Sequence, residues 1–240
     1  MAGNDPLDQE LTHRRTASGE HRLPPVIAVL VAIVAYALLP ESLLIGPRLA
    51  IPLLELALLV ALTATNPWRM LRQTRWSRWA SVTLAGLVIV ANLAALGMLI
   101  SALSSTSEGP GLLVAAMQVW LTNVIGFGLL YWELDRGGPV RRRTERRDRL
   151  PPADWRFSQD ENDDAVVEVA AGASKSSGWI PTFIDYLYVS VTNSSAFSPT
   201  DTMPLSTRAK ALMSLEATAA LLTSLLVIAK AVSSLGGHAA

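Results

Sequence analysis

The chain has 240 residues, is 50% hydrophobic with a mean hydropathy of +0.34, and carries a formal net charge of +0 from 20 Lys+Arg and 20 Asp+Glu. Cysteine is absent and the three histidines, His13, His21 and His238, lie near the ends. Disulfides, thiolate metal sites and thiol nucleophiles are therefore excluded, and neither a metal site nor a cofactor is expected. The apolar residues lie in long blocks between charged stretches. A block of about 18 residues or more can cross a hydrocarbon core of about 30 Å, so the pattern predicts an all-α, polytopic transmembrane helical bundle of about six spans.

Residues 1–23 are polar and mixed in charge, the composition of a disordered cytoplasmic tail. They show no small-residue cleavage pattern of a secretory signal. Apolar blocks at 24–39, 49–65, 80–103 and 112–132 predict a four-span bundle over 24–133. Residues 134–178 form a charged loop: DRGGPVRRRTERRDR is basic, SQDENDD acidic and AAGASKSSG small. Gly137 and Gly138 are expected to end the fourth helix, and Pro139 to prevent its restart. Residues 179–235 are expected to form a C-terminal helical hairpin, followed by a short tail, 236–240. In the hairpin, 179–197 is long enough to cross at about 1.5 Å per residue. The alternative is a re-entrant helix with five spans.

Arginine fixes the expected orientation. Arg14, Arg15 and Arg22 precede the first span. Arg69, Arg72, Arg75 and Arg78 lie between the second and third. Arg136, Arg141, Arg142, Arg143, Arg146, Arg147 and Arg149 follow the fourth, whereas the intervening loops carry only Arg48 or no basic residue. The N-terminus and the 134–178 loop are thus expected on the cytoplasmic side of the cell membrane. Trp68, Trp76, Trp79 and Trp132 fall at the inner boundary, as interfacial aromatics do.

Polar residues inside apolar blocks need a reason, because an ionisable group there costs about 2.5–3.5 kcal/mol on insertion scales. Glu55 and Glu216 are the two such carboxylates. With Asp185, Thr192, Asn193, Ser194, Ser195 and Asp201 they form a candidate intramembrane polar or ion path. Arg48, two turns before Glu55, is the alternative partner for that carboxylate. Asn92, Gln118 and Asn123 are expected to hydrogen-bond between helices, and Gly86, Gly97, Gly126 and Gly128 to permit close helix contact. Arg136, Arg141, Arg142 and Arg143 are candidate contacts for anionic lipid. Pro199 disfavours helix at Ser198, and Asp201 is placed to cap the helix that follows.

Two blocks, WLTNVIGFGLLYWELDRGGP and FIDYLYVSVTNSSAFSPTDTMPLSTRAKALM, resemble a family of bacterial multi-pass integral membrane proteins without an established activity, through YWELDRGGP and TNSSAFSPTD above all. The likeness covers spans four to six and part of the loop. Members often carry a Phe-Pro-Gln element in the loop; RFSQD at 156–160 departs from it. The order of Asp185 to Tyr188, the Ser/Thr run, Thr200-Asp201, Pro204 and a long helix also resembles the pore helix, filter and inner helix of tetrameric cation channels. Phe197-Ser198-Pro199 stands where such a filter has glycines, and proline cannot take positive φ. The basic loop before it belongs inside, whereas a potassium-channel pore helix enters from outside.

These features point to a non-catalytic membrane scaffold or partner- or lipid-binding protein, with a channel-like or transporter-like path for a small cation or proton as the alternative. No HExxH, span histidine or paired-aspartate motif suggests an enzyme. The bilayer and a homo-oligomer are the partners considered; the arginine cluster is explained by topology and does not imply nucleic acid.

Overall fold

The computed structural model describes residues 19–44, 46–65, 69–70, 74–105, 110–196 and 201–236. The expectations for residues 1–18, Trp68, Arg72, Phe197 to Thr200 and 237–240 lie outside the described residues. The architecture is an all-α helical bundle. Its helices are α1 (Leu23–Ala37), α2 (Ala50–Thr65), α3 (Arg75–Ser105), α4 (Pro110–Leu134), α5 (Pro139–Thr144), α6 (Val167–Ala170), α7 (Ser174–Ser177), α8 (Phe183–Ala196) and α9 (Thr207–Gly236). Among the described residues three stretches are long and apolar enough to cross a membrane: Arg75–Ala102, Gly111–Gly137 and Thr207–Lys230; α1 and α2 are shorter apolar helices.

Each helix end has a local cause. Pro24 and Pro25 occupy the first turn of α1, where the missing N–H costs nothing. At its other end Arg48 donates to the carbonyls of Ala37 and Leu39, both at 2.8 Å. Thr74 and Ser77 cap α3 reciprocally, each hydroxyl accepting the other's backbone N–H at 3.1 and 3.0 Å. After α4, Arg136, Gly137 and Gly138 all have positive φ (51°, 84° and 96°), which glycine tolerates and which breaks the helix. Contrary to the expectation from sequence, Pro139 does not prevent a restart. It is the first residue of α5, since its fixed φ suits a helix start.

Two short antiparallel ladders tie chain ends to the bundle. β1 (Glu20–His21) pairs with β2 (Arg69–Met70), and β3 (Trp155–Arg156) pairs with β4 (Met203–Pro204). The tail expected over 1–23 therefore ends earlier: Glu20 is buried and accepts from the indole of Trp132 at 3.0 Å and the backbone N–H of Phe183 at 2.7 Å.

The β3–β4 ladder also bears on 179–197. The helix there is α8, 14 residues, or about 21 Å, which is shorter than the expected segment. Its start lies beside Glu20 and Trp132, and Leu187 and Ser190 lie beside Gly128 and Val124 of α4. It therefore runs antiparallel to α4, away from the loop. By Met203 the chain is paired with the loop strand β3 again, and α9 begins where Arg208 meets Asp154. α8 and α9 thus both begin on the side of the 134–178 loop. Ser206, not Asp201, caps α9, accepting from the Ala209 N–H at 3.0 Å.

The core divides in two. One apolar cluster, near the loop, includes Ile89, Ile125 and Met213; the other includes Ala95, Val119 and Ala219. On α3, α4 and α9 the residues between these pairs are Asn92, Asn123 and Glu216, all buried. A polar layer thus crosses the bundle between two apolar ones. Gly126 makes room for Val88 and Ile89, and Gly128 for the backbone of Leu187; at Gly86 and Gly97 nothing lies near enough to need a glycine.

Candidate functional site

Glu216 is the centre of the polar layer, 0% exposed on α9. Its Oε2 accepts from the Tyr131 hydroxyl and the Asn193 amide, both at 2.6 Å. Its Oε1 meets the hydroxyls of Ser190 and, at 3.2 Å, Ser194. Asn193 also donates to the Met213 carbonyl at 3.0 Å, Asn123 to the Glu216 carbonyl at 3.3 Å, and Asn92 to Asn123 at 3.4 Å. The carboxyl group joins α4, α8 and α9, and Asn92 and Asn123 link α3 to the backbone carbonyl of the same residue.

Ser190 shows how full this site is. Its oxygen lies 2.8 Å from the Val124 carbonyl, which can only accept, and also contacts Glu216. A hydroxyl has one proton. Both bonds are satisfied together when Ser190 donates to Val124 and the carboxyl group donates to Ser190. In that arrangement Tyr131 and Asn193 serve the carbonyl oxygen of Glu216, and every strong polar group in the cluster has a partner.

Of the residues singled out from sequence, Asn193, Ser194 and Glu216 come together here. Thr192 bonds back to the Tyr188 and Val189 carbonyls of its own helix, and Ser195 is exposed. Asp185 accepts from the Thr182 backbone N–H and hydroxyl at 2.7 and 2.8 Å, capping α8. Asp201 is exposed. Tyr131 and Ser190 were missed. Spacing holds the signal for Ser190: positions 190, 193 and 194 are i, i+3 and i+4, one face of a helix, whereas 192 and 195 face elsewhere. Tyr131 reads as an interfacial anchor by its neighbour Trp132, yet it is fully buried.

Glu55 is separate. It shares the inward face of α2 with Pro52, Leu59 and Leu62, is 2% exposed, and its Oε2 has no hydrogen-bond partner among the described residues. Arg48 does not reach it; that guanidinium is held on α1 carbonyls and lies 3.6 Å from Glu41.

The arginines of the candidate lipid contact have different surroundings. Arg142 is fully buried; it donates to the Trp132 and Asp135 carbonyls at 2.7 and 2.9 Å and stacks over Tyr186 at 4.9 Å. Arg136 pairs with Asp135 at 3.5 Å and Asp160 at 2.6 Å. Arg143 lies 3.9 Å from Glu20. Only Arg141 of the four is exposed. Burial raises the pKa of Glu20 against the lowering influence of Arg142, the Phe183 N–H, Arg143 and Trp132. At Asp160 burial also acts upward, but the Arg136 charge and the Ser174 and Phe157 hydrogen bonds outweigh it and hold the carboxyl below its ordinary value.

The loop these arginines organise is folded. Trp155 is fully buried, its ring centroid 4.7 Å from Tyr131 and 6.2 Å from Tyr186, and Phe157 lies 5.4 Å from Tyr186. Arg147 clamps the Ser174 and Trp179 carbonyls at 2.9 and 2.7 Å. Among the described residues no group of three His, Cys, Asp or Glu side chains is placed to hold a metal ion. No protein-family model, curated protein or solved structure matches the chain.

Proposed function

We propose that the protein is a non-catalytic membrane scaffold with five crossings and a re-entrant α8, its N-terminus and 134–178 loop on the cytoplasmic side of the cell membrane. The observation that carries this reading is the saturation of Glu216. A path for ions needs ligands that are free to exchange partners, and the donors around Glu216 are committed to it and to backbone carbonyls of α4 and α9. Such a cluster holds helices in register where unpaired polar groups are costly. The folded loop then gives the rigid bundle a shaped cytoplasmic face for a partner or for lipid headgroups.

One observation favours a second, channel-like reading: the short α8 and the long α9 both begin at the loop, the order of parts in a pore hairpin. Flux separates the two. Vesicles carrying the protein should pass protons and small cations no faster than empty ones. A flux abolished by Glu55→Gln or Glu216→Gln would overturn the scaffold reading. The chain has no cysteine, so single cysteines report topology cleanly. With Asp201→Cys, an impermeant maleimide should label lysed cells only, and with Glu41→Cys it should label intact cells. The reverse pattern would overturn the orientation.

A further inference from the structure

Beside the start of α3 a cleft of about 390 Å³ is lined by Arg75, Arg78, Arg136, Arg141 and Arg208, with Thr74 and Gly137. Among the described residues no carboxylate lines it. Two of the five charges are compensated from behind, Arg136 by Asp135 and Asp160, and Arg208 by Asp154. Arg78 donates to the Gly137 carbonyl, and the buried Glu133 lies close enough to interact with its charge. Arg75 and Arg141 are exposed and have no acidic partner among the described residues. Guanidinium groups that converge without carboxylates repel one another, and an anion placed between them removes that cost. Their planar donor forks match phosphate oxygens.

The helix that supplies Arg75 and Arg78 also sets the depth of the cleft. Trp76 and Trp79 lie on the same turns, 53% and 71% exposed, the positions of indoles at a membrane–water interface. The cleft therefore opens at headgroup level. The apolar cavity among α1, α2, α3 and α4 is a poorer candidate: at about 60 Å³ it holds only a few waters.

We infer that this cleft binds a phosphate group, presented by an anionic lipid headgroup or as free phosphate, with Arg75, Arg78 and Arg141 as its ligands. The inference deepens the scaffold reading and rests on it for the sidedness of the cleft. It moves the basic site away from Arg136, Arg142 and Arg143, which are engaged by other groups, to side chains of α3 and α5.

The full chain in non-ionic detergent is titrated with short-chain phosphatidic acid, short-chain phosphatidylcholine and inorganic phosphate, reading the shift in melting temperature. Wild type is compared with the Arg75→Gln/Arg141→Gln double variant and with Arg149→Gln, an exposed arginine of the same loop outside the cleft. Arg78 is left intact because its bond to Gly137 also supports the fold. Phosphatidic acid, but not phosphatidylcholine, should raise the melting temperature. The double variant should weaken that binding about tenfold or more, as the loss of charge-assisted hydrogen bonds implies, while Arg149→Gln keeps it. The same pattern with inorganic phosphate identifies free phosphate as the source. No stabilisation by either ligand, or equal weakening by Arg149→Gln, overturns the site. The unliganded melting temperature of each variant separates lost binding from lost folding. Because sidedness is read by maleimide labelling, failure of the site and failure of the scaffold reading are told apart.

Discussion

Glu216 and Glu55 are both buried carboxyl groups on apolar helices, and their surroundings are opposites. Glu216 meets four side chains from two neighbouring helices, whereas Glu55 keeps an oxygen without a partner among the described residues. The difference lies in what surrounds each group. α9 packs against α4 and α8 where they carry Tyr131, Ser190, Asn193 and Ser194. Glu55 shares the inward face of α2 with Pro52, Leu59 and Leu62, whose side chains are all apolar. A buried acid in a bundle is thus a fastening or a liability according to its neighbours, and composition alone does not tell which.

The largest expected effect tests the fastening. Glu216→Ala strands the Tyr131 hydroxyl, the Asn193 amide and Ser190 in the interior and should cost about 3–5 kcal/mol, since each unsatisfied buried group costs about 1–3. Glu216→Gln should cost less than about 1 kcal/mol, because its amide can donate to Ser190 and its carbonyl accept from Tyr131 and Asn193. Reversible unfolding in mixed detergent measures both. Equal losses would mean that a negative charge, not the hydrogen-bond geometry, holds the site. The opposite sign is expected at the other carboxylate: Glu55→Leu should stabilise by about 1–3 kcal/mol, because an unpartnered polar group leaves the interior. A clear destabilisation would reveal a partner for Glu55 in the folded bundle.

Adjacent residues of α8 sharpen the contrast on a smaller scale. Asn193→Leu should cost about 1–2 kcal/mol through Glu216 and the Met213 carbonyl, whereas Thr192→Val, whose hydroxyl serves only its own helix, should stay within about 0.5 kcal/mol. Thermal melting in detergent is sufficient to rank them. Similar losses at both positions would mean that the polar run acts through helix propensity rather than through the Glu216 cluster.

What sequence made legible follows the same division. Apolar block lengths place α1 to α4 and α9 within a few residues, because the bilayer sets a length that composition reports directly. Glu216 is conspicuous for the same reason. Its donors are not, because they are brought by three-dimensional neighbours: Tyr131 lies 85 residues away. Applying the helical period to 190–195 separates Ser190, Asn193 and Ser194 from Thr192 and Ser195; reading the run as one polar stretch hides it. In sequence the loop shows only its charge, while the buried Trp155 and Phe157 make it a folded unit. Pairing of Met203 with Arg156, which returns α8 to the loop side, involves a two-residue strand that no local pattern announces. Arg141 was grouped with its chain neighbours, yet helix α5 turns Arg142 inward and leaves Arg141 beside Arg75 and Arg78.

Asp160 extends the comparison to a third acid, half-buried and outside the bundle, whose main partner is a cation. Arg136 donates to it at 2.6 Å, Ser174 at 2.7 Å and the Phe157 N–H at 3.2 Å. Since its folded pKa lies below the ordinary 3.8, the unfolded chain takes up the proton first. The stabilisation is fully present above the unfolded value and is lost as pH falls through the folded one. The melting temperature of the wild type should therefore drop on acidification below about pH 4 more steeply than that of Asp160→Asn, which lacks the titrating group. Parallel acid curves would mean that Asp160 keeps an unshifted pKa and that shape, not charge, holds the loop against Arg136. The effect should be the smallest of the set, because Asp160 is partly open to solvent that screens the pair. It is also the one expected to change with salt, since Glu216 is held by side chains that carry no charge.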